Sequence, residues 1–132
     1  MDPESLVRDR AKVMVDVGQA FADAGLHVEE VYLIKTTTVD DFVYWHLRLV
    51  TDDDGREVIY KLVRLRRDGG LPPLDDELRV EAIRPSSYEA SRILKYAARV
   101  PQRPLFIKNT PIDGLYVEYA VVAGLKERQM AA

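Results

Sequence analysis

The chain has no cysteine, so disulfides, thiolate metal sites and a cysteine nucleophile are excluded from the outset. Histidine is scarce too: His27 and His46 are the only two, and neither has a partner at the spacing of a zinc site. Long apolar runs are missing, with no stretch near the roughly 20 residues needed to span a bilayer. The opening "MDPESLVRDR" is acidic and polar, without the basic and then apolar regions of a signal peptide. A cytoplasmic protein with no membrane attachment is therefore expected. No Gly-x-Ser-x-Gly elbow surrounds Ser5, Ser86, Ser87 or Ser91, and neither "DGG" nor "GLPP" makes a phosphate loop. No cofactor or metal is expected.

What is present suits one α+β domain spanning the chain. Its 132 residues are enough to bury a core, and 47% hydrophobic with 31% charged residues is ordinary globular composition. The net charge of −3 opposes general affinity for nucleic acid, but charge comes in blocks. Between Arg56 and Arg67 stand Arg56, Lys61, Arg64, Arg66 and Arg67 against the single acid Glu57. Acidic clusters flank this segment at Asp52–Asp54 and Asp75–Glu77.

A first helix is predicted from Asp2 as N-cap, Pro3 at the first helical position and Glu4 in the first turn. Leu6, Arg10, Val13, Met14, Val17, Ala20, Phe21 and Ala24 follow at helical spacing until Gly25. A second, small-residue face of Val7, Ala11, Val15, Gly18 and Ala22 implies cover on more than one side. Next, "HVEEVYLIKTTTV" reads as a strand. "DDFVYWHLRLVTDDDGREVIYKLVRLRR" then reads as two strands folded back at Asp54-Gly55, and the alternating "LRVEAI" as a further strand. Ser86 with Glu89 three residues on makes a capping box for a helix near Ser87 to Arg99, with Ala90, Ile93, Leu94 and Ala97 as its buried stripe. "PLFIK", the turn "NTPIDG" and "LYVEYAVV" close the chain as a hairpin, and residues 124–132 form a short helix or a disordered tail. The expected order is α-β-β-β-(β)-α-β-β, with two main helices and a mainly antiparallel sheet of five to six strands.

In the strand from Phe42 to Thr51, Val43, Trp45, Leu47 and Leu49 share one face while Tyr44, His46 and Arg48 lie on the other. Read as a strand, Arg56 to Arg67 also has two mixed faces, and the loop length at Asp54-Gly55 decides whether Tyr60 or Lys61 stands beside Trp45. Both helices are expected on the Trp45 face, which leaves a half-apolar face with aromatic and basic groups for a second subunit or a ligand. Tyr44, His46, Arg48, Tyr60, Arg64 and Arg66 are the candidate binding residues. As a general base His46 needs an orienting acid, which the sequence does not identify.

Two resemblances attach to this order. A helix, three strands, a helix and a strand is similar to the core of PD-(D/E)XK nucleases, which would place metal-binding acids and a lysine at Asp41 and Lys61. The motif breaks at Ile59, which stands where the family has Asp or Glu; Glu57 is two residues further back, about 7 Å along a strand. The order also resembles the type III secretion chaperone fold, which implies a small acidic homodimer that binds an extended partner segment. That resemblance is architectural and carries no residues across. The expected function is a non-catalytic, chaperone-like or adaptor-like protein-binding module, homodimeric through the second sheet face. A metal-dependent nuclease relative, and a small-ligand or nucleic-acid binder using the basic-aromatic surface, are the alternatives.

Overall fold

The computed structural model describes residues 3–72 and 78–125, with side chains from Ala11 onward. The expected N-cap Asp2, the side chains of Leu6 and Arg10, the acidic run Asp75–Glu77 and the tail from 126 lie outside the described residues. In chain order the elements are α1 (Pro3–Asp23), β1 (Val28–Thr37), β2 (Val43–Thr51), α2 (Gly55–Arg67), β3 (Leu78–Ile83), α3 (Tyr88–Ala98), β4 (Leu105–Ile112) and β5 (Leu115–Val122). One sheet runs in the order β3-β2-β1-β5-β4. Three of its pairings are antiparallel and the fourth, β2 with β3, is parallel. The sheet is therefore mixed, and no helix among the described residues is long and apolar enough to cross a membrane.

The main correction falls on Arg56 to Arg67, expected as a strand and found as helix α2. Asp54 is its N-cap, with a side-chain oxygen accepting from the Arg56 N–H at 2.8 Å, rather than the corner of a hairpin. Glu57 in the first turn and Arg64, Arg66 and Arg67 in the last match the helix dipole. Val58, Leu62 and Leu65 recur at helical spacing and pack on the core. Gly69, at φ 71°, ends the helix, and the Gly70 N–H reaches the Leu65 carbonyl at 2.8 Å. The described residues thus hold three helices, in the order α-β-β-α-β-α-β-β. This departs from both family patterns, so the secretion-chaperone likeness finds no support in the fold.

The helix also explains the parallel strand pair. A parallel neighbour cannot be reached by a tight turn and needs a crossover, which α2 supplies between β2 and β3. At the other edge, Asp113 (φ 45°) and Gly114 (φ 87°) close the β4–β5 hairpin, the two positive φ values of the turn that matches strand twist. The expected six-residue turn is only these two residues, with β4 running on to Ile112.

Each sheet face has its own core. Met14, Val17 and Phe21 of α1 and Val58 of α2 pack on Val31, Leu33, Leu47, Leu49 and Val121. Ala90, Ile93 and Ala97 of α3 pack on Tyr32, Ile34, Val50, Leu105, Ile107 and Ala120. The second helix of the sequence reading therefore covers the second face, not the first. A β-bulge between Val28 and Glu30 sets this alternation, putting Val28 and Val31 into the same core three residues apart. The extra residue leaves the Glu30 carboxylate buried, where Oε1 accepts the N–H groups of Val31 (2.9 Å), Gly124 (3.2 Å) and Leu125 (2.9 Å).

Candidate functional site

Alternation along β2 sends Leu47 and Leu49 into the α1–α2 core, so Tyr44, His46 and Arg48 point to the α3 side. Strand register then fixes their neighbours. On β1, Thr36 is opposite Tyr44, Ile34 opposite His46, and Tyr32 opposite Arg48. On β3, Arg79 is opposite His46, and Glu81 opposite Arg48. Glu89 enters from the first turn of α3.

These groups form one connected polar chain. The Tyr32 hydroxyl donates to Glu89 Oε1 at 2.6 Å, and Arg48 Nε donates to the same oxygen at 3.1 Å. Arg48 Nη1 donates to Glu81 Oε2 at 2.7 Å. The other Glu81 oxygen lies 2.8 Å from His46 Nδ1, and His46 Nε2 lies 2.9 Å from Thr36 Oγ1. An ionised carboxylate only accepts, so Nδ1 carries the proton that faces Glu81, and in the neutral imidazole Nε2 is left to accept from the Thr36 hydroxyl. Beside them the Arg79 guanidinium sits 4.4 Å from the centre of the Tyr44 ring.

Electrostatics keep Glu81 an acceptor. Burial works to raise the Glu81 carboxyl, but the His46 hydrogen bond and the nearby Arg48 charge outweigh it and hold it below its ordinary value. The acid is thus a carboxylate at neutral pH. Tyr32 moves the other way: burial first, then its bond to Glu89 and that carboxylate's charge, push its hydroxyl far up.

Of the six expected binding residues, Tyr44, His46 and Arg48 meet in this network, whereas Tyr60, Arg64 and Arg66 stand on α2 in the opposite layer. The expected single basic-aromatic surface is therefore two surfaces. Sequence reading had missed Thr36, Arg79, Glu81 and Glu89 as partners of His46 and Arg48. The alternation of "LRVEAI" already put Arg79 and Glu81 on one strand face, but only the parallel pairing reveals what that face meets.

The second surface is the outer side of α2. Ile59 (64% exposed), Tyr60 (59%) and Val63 (58%) lie on it among the exposed Arg56, Arg64, Arg66 and Arg67. Ile59 and Val63 are one helical turn apart, and the Arg64 guanidinium lies 5.8 Å from the Tyr60 ring centre. Read as a helical wheel, the same segment shows this stripe; read as a strand, it hides it.

The residues of the nuclease resemblance do not meet. Asp41 is exposed in the loop before β2, while Glu57 and Lys61 lie on α2 after it. The nine residues of β2 put about 30 Å between its ends. Among the described residues no group of three or more His, Asp or Glu side chains is placed to hold a metal ion. His27 has a different role, its backbone N–H donating to Asp53 Oδ2 at 2.7 Å and tying the α1–β1 loop to the β2–α2 loop. Compared with protein families, curated proteins and solved structures, the chain finds no match.

Proposed function

We propose that this chain is a protein-binding module whose α2 outer face docks an acidic amphipathic segment of a partner protein. The observation that carries the reading is the exposed Ile59-Tyr60-Val63 stripe set among arginines on a helix of 13 residues, about 20 Å long. Aliphatic groups left in water are a standing incentive to association, on the order of 1.5 to 3 kcal/mol for each Ile or Val fully buried. A phosphate backbone offers nothing to bury them against, which favours protein over nucleic acid. The excess of cations on α2 asks for an acidic partner and sets two copies of this face against each other, which disfavours a symmetric pair through α2. The other sheet face, expected to dimerise, already carries α3 over its apolar half.

The test uses a designed helical peptide with Leu at i, i+4 and Glu on its flanks, beside its Lys-flanked counterpart and an oligonucleotide, followed by amide chemical shifts of the protein. The reading expects the acidic peptide to perturb Ile59 and Val63. Binding should be lost in an Ile59→Asp, Val63→Asp double variant and weakened about tenfold in Arg64→Glu, Arg66→Glu, roughly 1.4 kcal/mol. Three results overturn it: no α2 perturbation, tighter binding of the oligonucleotide, or light scattering at twice the 15.0 kDa chain mass with Ile59 and Val63 protected in the pair.

A further inference from the structure

We propose that Thr36, His46 and Glu81 form a reactive-hydroxyl site that hydrolyses activated carboxylic esters through an acyl-threonine. The site is separate from the α2 surface, on the opposite side of the sheet.

Three features of the geometry support it. A hydroxyl lies 2.9 Å from one imidazole nitrogen while a carboxylate oxygen lies 2.8 Å from the other, which is the arrangement of a nucleophile, a base and an acid that orients the base. The acid is itself fixed, since Arg48 Nη1 holds its second oxygen at 2.7 Å and Arg48 Nε is anchored on Glu89. Finally, a cation lies on the same sheet face. Arg79, opposite His46 on β3, is stacked on Tyr44, the cross-strand partner of Thr36, and adds positive charge to the face on which an oxyanion would develop. Thr36 is half-buried, and the His46 and Glu81 side chains are 12% and 44% exposed, so the trio opens to solvent at the Glu81 end.

Thr36 Oγ1 attacks the ester carbonyl carbon as its proton passes to His46 Nε2. The tetrahedral adduct expels the alcohol oxygen, which takes that proton and leaves an acyl-threonine. Water then attacks the same carbon, giving its proton to Nε2; the carbon–Oγ1 bond breaks, the proton returns to Thr36 and the carboxylic acid departs. Thr36 and His46 are the catalytic residues; Glu81 and Arg48 are positioning residues.

The experiment is p-nitrophenyl acetate hydrolysis by the whole chain, with rapid quenching and mass mapping of the acetyl group. Exposed His27 is the obvious non-specific nucleophile, so His27→Gln is the parent for all variants. Expected are release more than tenfold faster than free imidazole at equal concentration, and acetyl on Thr36. Thr36→Val should abolish both with circular dichroism unchanged, whereas Thr36→Ser restores them. Glu81→Gln should cost about a hundredfold or more in rate and move the His46 ring proton off Nδ1, seen in the ring ¹⁵N shifts. Acetyl absent from Thr36, Thr36→Val as active as its parent, or Thr36→Ser as inactive as Thr36→Val while folded would overturn the proposal and leave the trio a structural bridge.

Discussion

Replacing Glu30 with alanine should be among the most damaging single changes in this chain. Its carboxylate is buried and a single oxygen accepts three backbone N–H groups, two of them from Gly124 and Leu125 just after β5. Hydrogen bonds to a charged group contribute about 1.5 to 3 kcal/mol each, so simple addition gives an upper limit near 9 kcal/mol. Two effects reduce that figure. The three bonds share one acceptor and are not additive, and a groove lined by Leu94, Ala97 and Arg103 reaches Glu30, so water can solvate some of the freed donors. A net loss of about 3 kcal/mol follows. With a urea slope of about 2 kcal/mol/M for a domain of this size, the Glu30→Ala midpoint should fall by about 1.5 M. Glu30→Gln keeps an acceptor oxygen without the charge and should lose about half as much. Hydrogen exchange gives the local readout: the Gly124 and Leu125 amides should lose protection before the β1–β2 amides do. A Glu30→Ala midpoint within about 0.3 M of wild type would refute this account of the buried carboxylate.

Two further outcomes rest on steric and titration arguments. In Gly18→Ala the new Cβ would collide with Val31 Cγ2 and stand 3.1 Å from Leu125 Cδ2, so overpacking should outweigh the usual helix gain and destabilise by about 1 to 2 kcal/mol. Gly55→Ala meets nothing within 4 Å and should instead stabilise by about 0.5 kcal/mol; urea midpoints of the pair decide, and equal shifts would sink the argument. For Tyr32, the raised hydroxyl means that the fold favours the neutral form. Its stabilising effect is whole below the ordinary tyrosine value of about 10 and declines as pH rises above it. Absorbance at 295 nm should therefore show at least one of the seven tyrosines ionising only as circular dichroism is lost, and Tyr32→Phe should hold its structure to higher pH. All seven ionising with the sheet intact would contradict it.

The sequence made most of the sheet legible because its signals are local. "LRVEAI" and "LYVEYAVV" coincide with β3 and β5, and Ser87 caps α3 with its hydroxyl on the Ala90 N–H at 3.1 Å, one residue from the capping box expected at Ser86. Arg56 to Arg67 was misread for a physical reason. Its apolar residues Val58, Tyr60, Leu62 and Ile59, Val63, Leu65 satisfy both a period of two and a period near 3.6. What separates the two readings is chemistry at the ends. Asp54 with Glu57 three residues later is a helix start, and Arg66, Arg67 and Gly69 are a helix stop. The Asp-Gly pair was read as a hairpin corner when its aspartate was a cap.

That one misreading also concealed the site. His46 and Glu81 are 35 residues apart, and nothing local says that the strand carrying Glu81 lies beside the strand carrying His46. A strand over 56–67 would have paired antiparallel with β2 and occupied the edge that β3 takes. With a helix there, the chain crosses over and returns in the same direction, so β3 joins β2 in parallel and the register sets Arg79 against His46 and Glu81 against Arg48. The orienting acid that His46 lacked in the sequence is therefore supplied by the crossover. The same helix turns Ile59 and Val63 outward into a stripe that no strand would have exposed in that form. A substitution that destabilised α2 should therefore act at both surfaces: directly on the Ile59 stripe, and on the His46–Glu81 contact through loss of the crossover that holds β3 in register.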